Sequence, residues 1–204
     1  MEHPDGNFLV LSSVPKLDVR KTGLLEEVKR TGPQPIASVP LLPAGYQMLT
    51  DASRGGLLPW RWAVERLTKA HNYWIGTVRP DGRPHMVPVW GCWLDDKFMF
   101  STSRDSVKAH NITRNPNCVL CPENAAEAIM VEGKVEEVTD RALLEGYLKI
   151  YNAKYNWNQD VTQGPFFRVR PARVMAFVED GTGSATRWTF ANRRKSKAEP
   201  EPTP

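Results

Sequence analysis

The densest group of chemically competent side chains in the sequence is Ser101-Thr102-Ser103-Arg104-Asp105-Ser106-Val107-Lys108. Apolar Phe98-Met99-Phe100 leads into it, so hydroxyls stand at a strand end and run into a helix start. First-turn amides of a helix lack partners and carry partial positive charge, and Arg104 and Lys108 are close by. Those parts suit a phosphate. They suit equally an ordinary N-cap on Ser103 or Asp105 with solvated charges around it, and the segment alone leaves both readings open. A second segment, His85-Met86-Val87-Pro88-Val89-Trp90, carries a proline inside a strand pattern. Such a residue belongs at an edge, at a bulge, or where something other than a neighbouring strand lies against the backbone. With Trp90 beside it, the segment either lays backbone and an aromatic wall against a flat ring, or is a half-buried barrel strand with Trp90 in the core.

No self-contained catalytic set accompanies these segments. His3, His71, His85 and His110 form no H-E-x-x-H or similar spacing, and G-x-S-x-G, G-x-x-x-x-G-K-S/T and G-x-G-x-x-G are absent. An enzyme built this way needs a bound cofactor to do the chemistry. Cys118 and Cys121 stand in a C-x-x-C spacing, but the run Asn117 to Pro122 reads as a strand, where positions i and i+3 point to opposite faces. No second Cys or His pair is near to complete a zinc site, so no metal is expected.

The elements that must hold these segments follow from periodicity. Trp60, Ala63, Val64, Leu67 and Ala70 make one apolar helical face opened by Pro59. Tyr73 to Arg79 is a strand closed by Pro80-Asp81-Gly82-Arg83, whose Asp-Gly pair supplies the positive φ of a hairpin. Pro84 to Leu94 returns, Asp95-Asp96 turns again, and Lys97 to Thr102 completes a meander. A short helix up to Asn115-Pro116, strands at 117 to 121 and 127 to 138, and a helix from Asp140 to about Tyr155 follow. Leu143, Leu144, Tyr147, Ile150 and Tyr151 line the inner face of that helix. Phe166 to Val178 is a long strand broken near Pro171, and Thr186 to Phe190 is the last. Consecutive hairpins without regular crossover helices predict a mainly β, α+β fold: an antiparallel sheet curled into a barrel with helices outside. Several of the seven tryptophans, Trp62 and Trp74 among them, are expected in its core.

The 204 residues, 41% hydrophobic and 25% charged, allow one good core. Residues 1–45 hold six prolines and balanced charge and read as an extended or disordered leader; residues 192–204 read as a charged, Pro-rich disordered tail. That leaves residues 46–191 as the working domain. Half of the net charge of +4 belongs to the tail, so a general basic footprint for nucleic acid is missing. No apolar stretch approaches the roughly 20 residues of a membrane span, and Phe8 to Leu11 is too short for a signal-peptide core. A cytoplasmic protein, with no membrane and no nucleic acid among its partners, is the expectation.

Tyr73 to Trp90, then Phe98 to Thr102, then Ser106-x-Lys108-Ala109-x-Asn111-Ile112 and Asn115-Pro116, together resemble the pyridoxamine 5'-phosphate oxidase-like FMN-binding split barrels. Val131-Glu132-Gly133 and Thr186-Arg187-Trp188 extend the match over about Trp60 to Phe190. The branch resembled most closely uses the deazaflavin coenzyme F-420 or FMN. The resemblance implies a homodimer of six-stranded split barrels with flanking helices and the cofactor in a groove at the subunit interface. Carried over by position, His85, Val87, Pro88, Val89 and Trp90 run along the ring system. Ser101, Thr102, Ser106 and Lys108 hold the phosphate end, and Trp188 closes the site from the partner chain. Members commonly show Ser-Arg-Lys where this chain has Ser106-Val107-Lys108, and Arg104 is a candidate to replace that arginine. Where the vitamin-forming oxidases carry an Arg-Gln pair and a C-terminal arginine set for the substrate phosphate, this chain reads Glu127-Ala128 and Thr186-Arg187-Trp188. The resemblance therefore does not extend to pyridoxine phosphate as substrate.

The function implied is an oxidoreductase moving hydride between bound coenzyme F-420 or FMN and a small unsaturated or quinone-like substrate. Two alternatives stand beside it: an FMN-dependent oxidase, and a non-catalytic flavin or tetrapyrrole carrier of the same fold. A barrel binding nucleic acid through Arg168, Arg170 and Arg173 is a further reading; strict alternation puts Arg173 on the opposite face unless Pro171 kinks the strand.

Overall fold

A computed structural model describes residues 34–41, 43, 55–179 and 185–190. The expected tail and all but nine residues of the expected leader lie outside the described residues. Twelve elements follow in chain order. They are β1 (Ile36–Ser38), α1 (Trp60–Lys69), β2 (Tyr73–Val78), β3 (Pro84–Val89), β4 (Cys92–Leu94), β5 (Lys97–Ser101), α2 (Val107–Arg114), β6 (Asn117–Pro122), β7 (Glu127–Val138), α3 (Arg141–Tyr155), β8 (Phe166–Val178) and β9 (Thr186–Thr189).

Every strand pairing is antiparallel, in the order β1-β9-β8-β7-β6-β2-β3, with β5 joined to β8 and β4 to β5. The long strand β8 makes this possible. On its far side from β7, its first half carries β5 (Ser101 opposite Phe166) and its second half carries β9 (Val174 opposite Trp188). Because β3 runs into β4 through Trp90-Gly91 alone, the sheet closes on itself with a break at that corner. This is the mainly β split barrel with helices outside that the sequence predicts. Nine strands are present among the described residues, where the resemblance implied six and the periodicity gives seven; relative to those seven, the run from Pro84 to Leu94 is two strands, and Ile36–Ser38 adds a short one on β9.

Local chemistry accounts for the turns. Gly82 takes φ +85° in the β2–β3 hairpin, where its N–H donates to Arg79 O and Arg79 N–H donates to Arg83 O, both at 2.9 Å. Asp95 and Asp96 both have positive φ in the β4–β5 turn, and the Lys97 ammonium bonds Asp95 at 3.0 Å. The strand expected to break at Pro171 continues instead through a bulge. Gly133 pairs with Pro171 and Glu132 with Arg173, leaving Ala172 as the extra residue. The extra residue restores Arg173 to the face of Arg168 and Arg170. Arg168 and Arg170 both reach Glu136, and Arg173 reaches Glu132 at 2.5 Å, so this face carries no uncompensated basic stripe.

Two apolar clusters fill the molecule. The barrel interior holds Tyr73, Ile75, Phe98, Phe100, Leu120, Val131, Val169, Val174 and Trp188, and α1 seals it with Trp60, Ala63 and Leu67. The second cluster joins Cys92, Met99 and Phe166 to Leu144, Tyr147, Leu148, Tyr151 and Tyr155 of α3. Strand β5 serves both, Phe98 and Phe100 inward and Met99 outward, which is why its sequence is apolar without alternation. On α3 the buried stripe is shifted from the expected one: Leu148 is inside, Leu143 is exposed and Ile150 is only half-buried. The expectation that Trp62 and Trp74 are core is corrected. Trp62 lies half-buried at the core margin under Arg66, and Trp74 is 44% exposed on the outer face of β2. The central tryptophans are Trp60, Trp93 and Trp188, packed edge-on around Trp60.

The corner between β3 and β4 is the tightest point. A Cβ on Gly91 would stand 2.3 Å from Met99 O and 2.4 Å from the Phe98 ring, an approach only glycine permits. Helix α3 clamps this corner. Lys154 Nζ donates to Gly91 O and to Tyr73 Oη, both at 3.0 Å, while Gly91 N–H donates to Tyr155 Oη at 3.0 Å. The Lys154 ammonium is buried over the rings of Tyr73 and Tyr155, and desolvation lowers its pKa from 10.5 to about 8. Gly91→Ala is expected to cost about 3 kcal/mol in urea unfolding, the upper end of overpacking penalties. Between pH 8 and 10.5 the unfolded chain keeps a proton on Lys154 that the folded chain has lost, so this contribution to stability rises with pH. The wild type should gain on Lys154→Met by up to about 3 kcal/mol across that window, at 1.36 kcal/mol per pKa unit. A stability difference independent of pH would refute the clamp's electrostatics.

Candidate functional site

The start of α2 is built by its hydroxyls. Ser103 Oγ accepts from Asp105 N–H at 3.2 Å and its carbonyl accepts from Ser106 N–H at 3.2 Å, so Ser103 shapes a turn. The cap is Ser106, whose Oγ accepts from Ala109 N–H at 3.2 Å, and not Ser103 or Asp105 as the sequence suggested. The three candidates stand within four residues, and only the backbone conformation separates them: Ser106 is extended and the helix begins one residue later. Thr102 Oγ1 donates to Ser106 Oγ at 3.1 Å, drawing the end of β5 onto the helix start.

Two kinds of positive charge are left over here. The amides of Val107 and Lys108 meet no acceptor among the described residues, as first-turn amides do. Lys108 is half-buried and makes no ion pair or hydrogen bond among them; burial alone pushes its ammonium pKa down. Arg104, the candidate replacement for the arginine missing at Val107, is committed elsewhere. Its two terminal nitrogens donate to both carboxylate oxygens of Glu137, at 3.1 and 2.6 Å, on the exposed surface. Ser101 is also engaged, 2.9 Å from Gln159 Nε2 in the loop after α3. Gln159 lies 58 residues along the chain and nothing in its local sequence marks it.

Strand β3 borders this helix through β2. Asn111 Nδ2, on the buried side of α2, donates to Thr77 Oγ1 at 2.9 Å, and Thr77 Oγ1 is 3.4 Å from His85 Nδ1. The His85 pKa is lowered first by burial and then by Arg79 and Lys108, which keeps the imidazole neutral at neutral pH. Counting from the Arg79–Arg83 bond, antiparallel alternation makes Thr77/His85 a hydrogen-bonded pair and Trp74/Pro88 a non-bonded one. Pro88 therefore points its nitrogen away from β2, at the free edge that β3 presents in this chain, and its missing donor costs the ladder nothing. Met86 N–H faces the same free edge.

The remaining predicted residues separate. Val87 is half-buried on the interior face, and Val89 is in the barrel core opposite Tyr73. Trp90 stacks on Tyr155, centroids 4.7 Å apart and planes 10° from parallel, and its indole N–H donates to Asn72 at 3.2 Å. One of its faces thus belongs to the α3 clamp. Trp188 is 0% exposed, enclosed in the core of its own chain against Trp60, and cannot close a groove of another subunit. The fold pairs Thr102 with Ser106 at the start of α2 and links the same helix to His85, through the buried Asn111 and through Thr77, two residues not assigned to the site from the sequence, with Lys108 near enough to act on the imidazole.

A sequence-family model for pyridoxamine 5'-phosphate oxidase matches residues 62–195. The chain belongs to the pyridoxamine 5'-phosphate oxidase family. Among solved structures this family member is similar to a conserved hypothetical protein from Mycobacterium tuberculosis, at 17% identity and TM-score 0.54, over 61% of this chain and 88% of that one. It is also similar to an F420 reductase, at 25% identity and TM-score 0.44, over 54% and 93% of the two chains. A third similarity is to a pyridoxamine 5'-phosphate oxidase-related, FMN-binding protein from Nostoc punctiforme, at 19% identity and TM-score 0.43, over 59% and 84%. No curated protein matches the chain. No helix of the described residues is long and apolar enough to cross a membrane, and no cluster of three or more metal-binding side chains occurs among them.

The cap assignment carries its own test in this family member. Ser106→Ala should cost about 1 kcal/mol by chemical denaturation, and Ser103→Ala clearly less. The reverse order would return the cap to Ser103.

Proposed function

We propose that this chain is an oxidoreductase that binds a flavin or deazaflavin, FMN or coenzyme F-420, and exchanges hydride with a small unsaturated or quinone-like substrate. The observation that carries the reading is Lys108: a half-buried ammonium with no counter-ion among the described residues, beside two helix amides equally without acceptors among them and the paired hydroxyls of Thr102 and Ser106. An isolated cation held partly out of water is unfavourable unless an anion completes it. The site is fitted to a phosphate on a ligand that continues toward β3. Such a cofactor supplies the hydride chemistry when bound.

The chain's own residues then have distinct tasks. Lys108 and the first-turn amides of α2 neutralise the phosphate, and Ser106 and Thr102 orient it. The free edge of β3 offers Met86 N–H and a donor-less stretch at Pro88, along which a planar ring lies without leaving a backbone N–H unpaired. Tyr73 takes no part in proton transfer. It is fully enclosed, its hydroxyl donates to Leu67 O at 2.5 Å, and burial raises its pKa.

The functional unit in this proposal is a homodimer with the groove between subunits. Its support is the outer face of β2, β3 and β6. Met86 is 58% exposed there, and Trp74, Val78 and Val119 are exposed with it. The register makes them neighbours, with Gly76 opposite both Met86 and Val119. A continuous apolar face on the strand that borders the site is suited to a second copy of the chain.

Titration of the purified chain with FMN and with coenzyme F-420, followed in the visible spectrum, should show saturable binding of at least one. Lys108→Ala should weaken it by about 1.5 to 3 kcal/mol, the scale of a charge-assisted hydrogen bond. Unchanged affinity would remove the phosphate assignment, and binding of neither cofactor would remove the function.

A further inference from the structure

Asn111 and Thr77 are 1% and 3% exposed, two polar side chains buried at the junction of α2 and β2. A buried amide or hydroxyl is costly unless it is bonded, so where these two direct their hydrogen bonds is informative. Asn111 Nδ2 donates to Thr77 Oγ1 at 2.9 Å, which makes the threonine oxygen an acceptor and sends its own single proton onward. Two acceptors lie within reach, His85 Nδ1 and His85 O, both at 3.4 Å. The peptide oxygen already accepts a ladder hydrogen bond, because Thr77 and His85 are a hydrogen-bonded pair of the β2–β3 hairpin. Only a second lone pair of that oxygen is left for Thr77, whereas the imidazole Nδ1 has no other partner among the described residues.

We propose that Asn111 and Thr77 are positioning residues of the site. They form a one-way donor chain, Asn111 Nδ2–H to Thr77 Oγ1–H to His85 Nδ1, that holds His85 as its Nε2–H tautomer and presents that N–H to an acceptor on the bound heterocycle. A carbonyl oxygen or unprotonated ring nitrogen is the chemical class such a donor recognises. This inference rests on the reading of the groove as a flavin or deazaflavin site.

Three features make the chain more than local packing. It begins on α2, the helix whose start carries Ser106 and Lys108, and it ends on β3, so one polar link across β2 sets the spacing between phosphate cradle and ring donor. Burial, then Arg79, then Lys108 disfavour the imidazolium, which keeps Nδ1 available as an acceptor. With Nδ1 turned to Thr77, Nε2 is across the ring from the barrel wall, and His85 is only half-buried.

The test is the tautomer, read by nitrogen-15 NMR of the full-length chain labelled at histidine, without cofactor. The His85 signals are assigned by their loss in His85→Gln. The wild type should show Nε2 protonated and Nδ1 bare at neutral pH; the Nδ1–H form would overturn the proposal, and this arm depends on no variant folding. Asn111→Asp cannot donate and accepts from Thr77 instead, so the chain should reverse and His85 should change to the Nδ1–H form. Thr77→Val should release the ring to a mixture and Thr77→Ser should restore the wild-type state; a His85 indifferent to all three is evidence against the chain. In a separate arm, Thr77→Val should weaken FMN or coenzyme F-420 roughly fivefold to tenfold, the scale of one lost hydrogen bond, with affinity for inorganic phosphate unchanged. If the wild type binds neither cofactor, the functional reading fails while the tautomer result still decides the donor chain. If the cofactor binds but Thr77→Val leaves its affinity unaltered, the role in positioning fails alone.

Discussion

Much of this molecule depends on one close approach, that of Gly91 to Met99 and Phe98. A side chain there would stand inside the neighbouring backbone oxygen, so the chain turns from β3 to β4 with no bulk at the corner. The turn lets one run of sequence serve two pairings, β3 with β2 and β4 with β5, and thereby closes the barrel while leaving it split. The corner is held from outside by Lys154 and Tyr155, which saturate both the carbonyl and the amide of Gly91. A buried lysine is an expensive clamp. Two of its three donors nevertheless find a carbonyl and a phenol, and two aromatic faces lie over the charge.

The corner also explains the separation of roles along the segment from His85 to Trp90. Before it, β3 is a true edge, with Pro88 turned to the free side and His85 reaching back to Thr77. At it, Trp90 turns to Tyr155 and becomes part of the α3 dock. The proposed groove is therefore confined to the first half of the strand and the start of α2. Electrostatics there are arranged by omission. Basic side chains elsewhere, at 66, 104, 141, 168, 170 and 173, are matched to carboxylates, whereas Lys108 is kept half-buried and unmatched. Surface pairs of that kind contribute little to stability.

Which parts of this were legible in the residues depends on how local their causes are. The helix of Trp60 to Lys69, the Asp81-Gly82 turn and the Asp140 cap rest on periodicity, glycine φ and a side chain bonding three residues on. All three were readable. That Pro88 must sit at an edge, at a bulge or against something other than a strand was readable, because a missing N–H is a property of the residue itself; that it is the edge needed the strand order. The cap at Ser106 was not separable from Ser103 and Asp105, since each is chemically competent and only the path of the backbone chooses. The tryptophans were misplaced for a related reason. Trp74 and Trp188 sit in similar apolar, β-rich sequence, and whether a strand face looks inward depends on partners far along the chain.

The sequence by itself determined the class of fold and the family, and it singled out the hydroxyl- and lysine-bearing segment on which the proposed site rests, because strand alternation, turn residues and motif order are encoded within a few neighbours. Only the tertiary structure decided that Trp188 is core, that Arg104 is spent on Glu137, that Gln159 holds Ser101, and that Asn111 reaches His85 through Thr77. Apart from the 8-residue step from Thr77 to His85, those contacts span 33 to 58 residues or depend on which face of a closed barrel a side chain meets. Closure of the sheet, made possible at Gly91, is the event that creates them.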